Sequence, residues 1–446
     1  MHFNILIIGG DAAGMSAASQ ARRIKKDISI GVLEKTEDIS YAACGLPYFI
    51  GNDVKNANSL LAIDEKDFLK KKNVSLFKNH EVIEIDFPDK RVICNSNDKK
   101  IEFTYDKLVI ATGAHPILPP IDGINSEGIF PLRTLAHGKN IKGFIEEKKP
   151  KKALIIGAGF IGLEMAEAFH NLSIDTTIIE MMTDPVMTMS PSIREMVHKE
   201  LKKNKVTLHT ETMVKSFENS NGEIIVKTDK GDHNCNIVIV SIGIAPSTSF
   251  LKNTEIAMTD KGAITVDEKS QSSIEDVYAA GDCATVKHLI TGNDFYMPLG
   301  TTANKQGRVA GIQTAGETEE KFPGIVGSQF VKIFDLEIGK CGFNQHDASV
   351  QKIDYTFNDI LWGSHARYYP NFSPLRITMT IDKNTGIVIG GEVCGKKGAA
   401  LRSNTIAAII TAKMHVNEVA YLDLGYAPPF SPVWDPVNSV AQGLKL

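Results

Sequence analysis

Two glycine-rich turns, about 150 residues apart, constrain this 446-residue chain more tightly than any other feature. Residues 3–8 are continuously apolar and read as a strand buried on both faces. Gly9-Gly10-Asp11-Ala12-Ala13-Gly14 follows, then a small-residue helix over about 15–24 and a second strand over 28–33 that ends in Glu34. That is the order of a βαβ dinucleotide unit: a tight turn, a helix N-terminus facing a pyrophosphate, and an acid for the ribose hydroxyls. Asp11 stands where the middle glycine is usual. The second copy has all three glycines. Residues 153–156 form its strand, Gly157-Ala158-Gly159-Phe160-Ile161-Gly162 its turn, and 176–179 the next strand, which ends in Glu180. Two units with two terminal acids imply two nucleotide sites on an α/β scaffold of Rossmann-like domains.

Two more strands end in small-residue turns. Residues 105–110 run into Ala111-Thr112-Gly113, and 277–280 into Gly281-Asp282, an acid at a strand's carboxyl end, where open sheets bind their ligands. These segments divide the chain into a first nucleotide-binding domain split over 1–115 and 245–322, a second inserted at 116–244, and a C-terminal α+β domain at 323–446 suited to packing on a partner subunit. A hydrophobic fraction of 43%, a charged fraction of 23% and a net charge of −4 show no bias toward nucleic acid. The N-terminus runs straight into a strand without a basic leader, and no apolar run reaches membrane-spanning length, so a soluble cytoplasmic protein is expected. The six cysteines, at 44, 94, 235, 283, 341 and 394, have neither Cys-x-x-Cys nor zinc spacing. Scattered cysteines suit a reducing compartment, and no metal site is expected.

Cys44 lies in Ser40-Tyr41-Ala42-Ala43-Cys44-Gly45-Leu46-Pro47-Tyr48, shortly after the first unit, where its sulfur would meet a flavin. No second cysteine follows before Cys94, so its partner sulfur or oxygen must come from outside the segment. The Gly-Leu-Pro that follows reads as a helix start, which lowers a thiol pKa. Ser40 is placed for a hydrogen bond near the sulfur or for a turn. The other five cysteines read as inert core residues.

The two fingerprints, Cys44-Gly45-Leu46-Pro47-Tyr48, Ala280-Gly281-Asp282 and the segment 299–308 occur in an order that resembles a known family, and the tail at 423–432 is similar too. The chain resembles the single-cysteine flavin-dependent pyridine-nucleotide disulfide oxidoreductases, and within them the coenzyme A-disulfide and coenzyme A-dependent persulfide reductases. The resemblance implies a homodimeric glutathione-reductase fold and a cycle in which NADH reduces FAD, and FAD then reduces a disulfide between Cys44 and coenzyme A. It implies FAD contacts at Gly9, Gly10, Ala12, Ala13, Gly14, Glu34, Lys35, Ser40, Val82, Ala111, Thr112, Gly113, Gly281, Asp282 and Ala303. It implies NAD contacts at Gly157, Gly159, Phe160, Ile161, Gly162, Glu164, Glu180 and Gly243. Coenzyme A contacts fall at Arg22, Arg23 and Lys71, whose cations suit phosphates and read equally well as solvated helix ends. The tail offers no histidine. Tyr426 and Tyr368 match the family's tyrosine pair, contributed across the dimer, as donor to a leaving thiolate. Ala43 and Phe160 replace the asparagine and tyrosine of close relatives.

The acceptor stays open between a small disulfide such as coenzyme A disulfide, a persulfide or polysulfide, and oxygen with Cys44 cycling through a sulfenic acid. Ala12 occupies the place of the histidine of peroxidases, which speaks against peroxide. A flavin-bound redox sensor without turnover would leave Tyr426 without a task. For the reductant, Glu180 predicts NADH over NADPH: a carboxylate there pairs with ribose hydroxyls and repels a 2′-phosphate, and Met181 and Met182 follow where an arginine would be needed. Steady-state kcat/KM is expected to favour NADH by on the order of tenfold or more; equal efficiency with NADPH contradicts the assignment.

Overall fold

A computed structural model describes residues 1–220, 222–316 and 318–444. The first sheet is built outward from His2–Ile8, whose second half is buried on both faces. Ile30–Leu33 lies parallel on one side and Lys99–Ile110 on the other, with Ile8 opposite both Leu33 and Ile110. Ser75–Phe77 extends one edge, Arg91–Ser96 and Glu81–Asp86 form an antiparallel wing, and Val277–Ala279 pairs with the end of Lys99–Ile110.

The second sheet is wholly parallel, in the order Thr207–His209, Asp175–Ile179, Lys152–Ile156, Ile237–Val240, Ile129–Pro131. Its central strands are apolar and buried from Ala153 to Ile156 and from Ile237 to Val240, as a sheet covered on both faces requires. The chain passes between the two sheets through a short antiparallel ribbon, Ala114–Pro116 against Ile244–Pro246. A third, antiparallel sheet of five strands follows the order Gln329–Ile333, Leu336–Gly342, Val388–Gly395, Pro374–Asp382, Tyr355–Gly363, with the helix Ala399–Thr411 packed on it. The expected class, two Rossmann-like α/β units followed by an α+β layer, is the architecture observed. Among the described residues no helix is long and apolar enough to cross a membrane.

A buried carboxylate locks the third sheet to the second. Ser190 N–H donates to both oxygens of Glu392, at 3.1 and 3.2 Å, and Asn344 Nδ2 donates at 3.0 Å. Burial raises the pKa of Glu392 against the pull of Lys340, and full pairing is what makes such burial tolerable.

In the first sheet's layer, the fingerprint helix Ala12–Ile24 lies against the helix Gly300–Gly316 at backbone contact. A Cβ on Gly307 would lie 2.2 Å from Ala13 O, and one on Gly311 2.3 Å from Ala17 O. Gly307→Ala is therefore expected to destabilise the protein by about 1–3 kcal/mol through overpacking. Gly143→Ala, within the helix Leu135–Lys148 and with nothing inside 4 Å of the added Cβ, is expected to stabilise it by about 0.5–1 kcal/mol. Urea unfolding midpoints of the two variants should move in opposite directions.

Candidate active site

The two fingerprint turns are built alike down to single hydrogen bonds. Gly9 N–H donates to Leu33 O and Gly157 N–H to Ile179 O, both at 2.8 Å. Both glycines have positive φ, +107° and +100°, and a Cβ on either would strike backbone oxygen, Ala111 O at 2.1 Å and Ser241 O at 2.6 Å. Glu34 Oε2 accepts from Gly10 N–H at 2.8 Å and its Oε1 from Thr36 N–H at 2.8 Å. Glu180 repeats the pattern, accepting from Ala158 N–H at 2.6 Å and Met182 N–H at 2.8 Å. Each acid is thereby held at the mouth of its turn, where ribose hydroxyls would be met. Gly14 and Gly162 bring each helix onto its turn, an added Cβ lying 1.9 and 2.0 Å from Gly9 O and Gly157 O. Gly159 caps its helix, Phe160 and Ile161 open it, and Gly243 has φ +132°.

Around the first turn the chain gathers the features of a flavin cradle. Gly281, with φ +81°, faces Ala13 and Ala303, so three small residues line one spot. Thr302 Oγ1 is buried there without a hydrogen-bond partner, at the start of the Gly300–Gly316 helix. Gly113 has φ +65°, and Ala111 N–H donates to Ile8 O at 2.8 Å. Val82 is buried at a bulge in its strand, and Lys35 is exposed. Asp282 is held by Arg133 in a largely buried ion pair of 2.5 Å, and Tyr296 Oη donates to Asp282 O at 3.1 Å. An orphaned hydroxyl, a first helical turn of Ala12, Ala13 and Gly14, and a guanidinium together fit the hydroxyl-rich, diphosphate-bearing FAD.

Arg133 is a residue that sequence reasoning missed. The available signal was an arginine between the strand Ile129–Pro131 and a helix capped by Thr134. Its guanidinium is the cation acting on Asp11, Tyr41 and Cys44 together.

Cys44 is the exposed cysteine; the other five are buried. It sits in a tight turn, Ala43–Gly45, before the helix Leu46–Ile50. The expected lowering of its pKa by a helix start is not what the structure gives. The helix is only five residues long, too short to hold much dipole. The sulfur reaches solvent yet is crowded by protein; that crowding raises the thiol pKa first, Glu164 next, with Arg133 opposing and Asp282 and Asp11 adding to the rise. Glu164 is itself pushed up to about 7 by burial and by Glu167, against a hydrogen bond from Tyr48. Tyr48, a second missed residue, stands four residues beyond Cys44, hydrogen-bonds Glu164 and lies in the field of both groups. Ser40 is left-handed, φ 45°, and buried; its N–H donates to Gly10 O at 2.9 Å.

Tyr368 and Tyr426 meet each other, hydroxyl to hydroxyl, at 3.3 Å on an exposed face of the C-terminal layer. Arg402 fixes the two loops that carry them, its Nη2 donating to Ser364 O at 2.6 Å and Phe430 O at 2.9 Å and its Nε to Asp435 at 3.3 Å.

The basic residues expected at coenzyme A separate into different jobs. Arg22 is buried, and its guanidinium donates to Lys72 O, Lys26 O and Asn73 O at 2.6, 2.5 and 2.8 Å, which commits it to the ends of two helices rather than to a phosphate. Arg23 is exposed and shares Gln20 Oε1 with Arg308, at 3.4 and 3.1 Å. Ser16 Oγ donates to Asn304 at 2.9 Å on the same pair of helices. Lys71 is exposed in an ion pair with Asp67. Arg308 lies inside a motif already noted in the sequence, but its meeting with Arg23 depends on the packing of two helices.

The pyridine nucleotide-disulphide oxidoreductase family model matches residues 3–315, and the family's dimerisation domain matches residues 328–436. An NAD(P)H coenzyme A polysulfide/persulfide reductase from Pyrococcus horikoshii is 36% identical over 100% of this chain and 99% of its own. An NADH oxidase from Methanocaldococcus jannaschii is 33% identical over 98% of this chain and 97% of its own. Among solved structures, an NAD-dependent persulfide reductase from A. fulgidus matches with a TM-score of 0.95 at 35% identity, covering 100% of this chain and 83% of that one.

The pairing of Cys44 with Glu164 has a pH signature. Above about pH 7 the Glu164 carboxylate is ionised and opposes the thiolate; below it the carboxyl is neutral and does not. Glu164→Gln should lower the pH midpoint for alkylation of Cys44 by iodoacetamide and speed the reaction above pH 7, with the two proteins converging below it. An unchanged midpoint would remove Glu164 from the thiol's surroundings.

Proposed function

The chain belongs to the pyridine nucleotide-disulphide oxidoreductases, in the group of the coenzyme A-disulfide and coenzyme A-dependent persulfide reductases, and from that membership we propose that it reduces coenzyme A disulfide or a related persulfide with NADH through Cys44. The observation that carries this reading is the isolation of Cys44. The other cysteines are buried, so a disulfide that Cys44 enters must take its second sulfur from outside the chain. FAD, held by the first turn, Glu34, Arg133 and Asp282, supplies when bound a two-electron relay from the nicotinamide.

The chain's own groups do the sulfur chemistry. The Cys44 thiolate attacks R–S–S–R, forming Cys44–S–S–R and releasing RS⁻, which takes a proton from the Tyr368–Tyr426 pair of a second copy. Two electrons and one further proton then split the mixed disulfide into RSH and the Cys44 thiolate. With the tyrosine reprotonated, the balance is R–S–S–R + NADH + H⁺ → 2 RSH + NAD⁺. A second copy is favoured by Phe357, Leu361, Trp362, Phe430 and Trp434, all exposed in the part that matches the dimerisation domain. Arg23 and Arg308, with Ser16 and Asn304, form the polar face that receives the phosphates of coenzyme A. Glu180, with no arginine beside it, favours NADH.

The M. jannaschii relative's name, NADH oxidase, keeps a sulfenate cycle in view, because it uses the same exposed thiol. Cys44→Ser should abolish reduction of coenzyme A disulfide while NADH still bleaches the flavin; retained disulfide turnover contradicts the reading. NADH consumption by oxygen that outpaces disulfide reduction would favour the oxidase. Arg23→Gln should raise KM for coenzyme A disulfide by on the order of tenfold with kcat little changed, the loss of one charge-assisted contact. Arg22→Ala should leave KM near its native value and lower stability by about 1–3 kcal/mol.

A further inference from the structure

The two fingerprint turns differ at the place of the middle glycine. The second has Gly159, with φ −77° and ψ −174°. The first has Asp11, with φ −103° and ψ −157°. Both are extended backbone that any residue adopts, and a Cβ on Gly159 would meet nothing within 4 Å. Asp11 is therefore not required by the turn, and it is costly there: it buries a carboxylate at a helix start that faces phosphates. Burial pushes it up to about 6, opposed by the Tyr41 N–H, Arg133 and the Ala12 N–H and assisted by Glu34.

What the side chain gains is one directed contact. Tyr41 N–H donates to Asp11 Oδ1 at 3.1 Å. One residue earlier, Ser40 N–H donates to Gly10 O at 2.9 Å from a left-handed conformation that serine adopts only where its surroundings hold it. Beyond Tyr41 the chain is fixed again, by Ala42 N–H on Leu60 O at 2.8 Å and Gly45 N–H on Ala42 O at 2.9 Å. Cys44 lies inside that last turn. The charged and titratable groups facing Asp11 are Arg133, Glu34 and Tyr41, and Asp11 in turn acts on Cys44.

We propose that Asp11 is a positioning residue: its carboxylate oxygen tethers the 40–44 loop to the first nucleotide turn, so that one turn locates both the cofactor and the reacting thiol. The inference rests on Cys44 being the nucleophile. It also explains why the acid stands in the first unit alone, since only the first turn has a nucleophile loop to hold.

The test compares the holoenzyme with Asp11→Asn, which keeps an acceptor for Tyr41 N–H, and with Asp11→Ala and Asp11→Gly, which remove it. The glycine variant keeps the fold, because the second turn takes the same backbone with glycine. Two readouts are needed: hydrogen exchange over residues 40–45, and the long-wavelength absorbance that a thiolate gives beside an oxidised flavin. Ala and Gly should speed exchange at least tenfold over native while Asn stays within threefold, and the absorbance of Ala and Gly should fall below half that of Asn, which shares their loss of charge. Native-like exchange and absorbance in the Gly variant would overturn the proposal. So would an Asn variant as impaired as Ala, because the effect would then belong to the charge and not to the tether. Exchange is read without substrate, so a failure of the reductase reading, seen as full turnover in Cys44→Ser, is distinguishable from a failure of the tether.

Discussion

The hydrogen bond from a turn N–H to the acid at the end of the neighbouring strand organises this molecule twice. It needs a strand register that brings Leu33 O to Gly9 N–H, or Ile179 O to Gly157 N–H, and a glycine there, because φ is positive and a Cβ would strike backbone oxygen beyond the next strand. Once the register is set, the helix start, the acid and the neighbouring strand end converge on one spot, the crevice beyond the carboxyl ends of the strands. The cofactor-facing groups and the thiol loop of the proposed reaction are hung from these two spots. Asp282 and Gly281 arrive on a later strand, the Gly300–Gly316 helix closes on the first fingerprint helix through Gly307 and Gly311, and the 40–44 loop returns to the first turn through Gly10 and Asp11.

The electrostatics of the site follow from burial among acids with few cations. Burial raises the Cys44 thiol most, Glu164, Asp282 and Asp11 add to the rise, and Arg133 opposes them. Such a site disfavours the thiolate, and positive potential or a change in its neighbours shifts the balance toward it. Glu164, pushed up to about 7 and bonded by Tyr48, and Asp11, pushed up to about 6, are the neighbours of the thiol whose charge changes near neutrality. The thiol is thus linked to the second turn's helix, on which Glu164 sits.

Contiguous features were legible in the sequence. Each fingerprint is a run of six residues whose spacing encodes a turn, and Cys44 stands out because no cysteine is near it. Features made by packing were not. Arg133 meets Asp282 across 149 residues, and Arg23 meets Arg308 only because two glycines let their helices touch. Arg22 and Arg23 look interchangeable in the sequence, but neighbours on a helix point about 100° apart; one turns into the protein to cap helix ends and the other faces solvent. The thiol pKa departs from the sequence expectation for a similar reason: a helix start is visible in Gly-Leu-Pro, whereas its brevity and the influence of Glu164 are not. Asp11, a departure with no account in the sequence, acquires one when Tyr41 folds back over it.

The central claim is that Cys44 completes its disulfide with a sulfur from outside the chain. Intact mass of the non-reduced protein after one equivalent of coenzyme A disulfide, with and without dithiothreitol, tests it most directly. The account predicts a single coenzyme A adduct, released by dithiothreitol and absent in Cys44→Ser. A protein that reduces the disulfide while Cys44 carries no adduct, or carries only one or two oxygens, would contradict it.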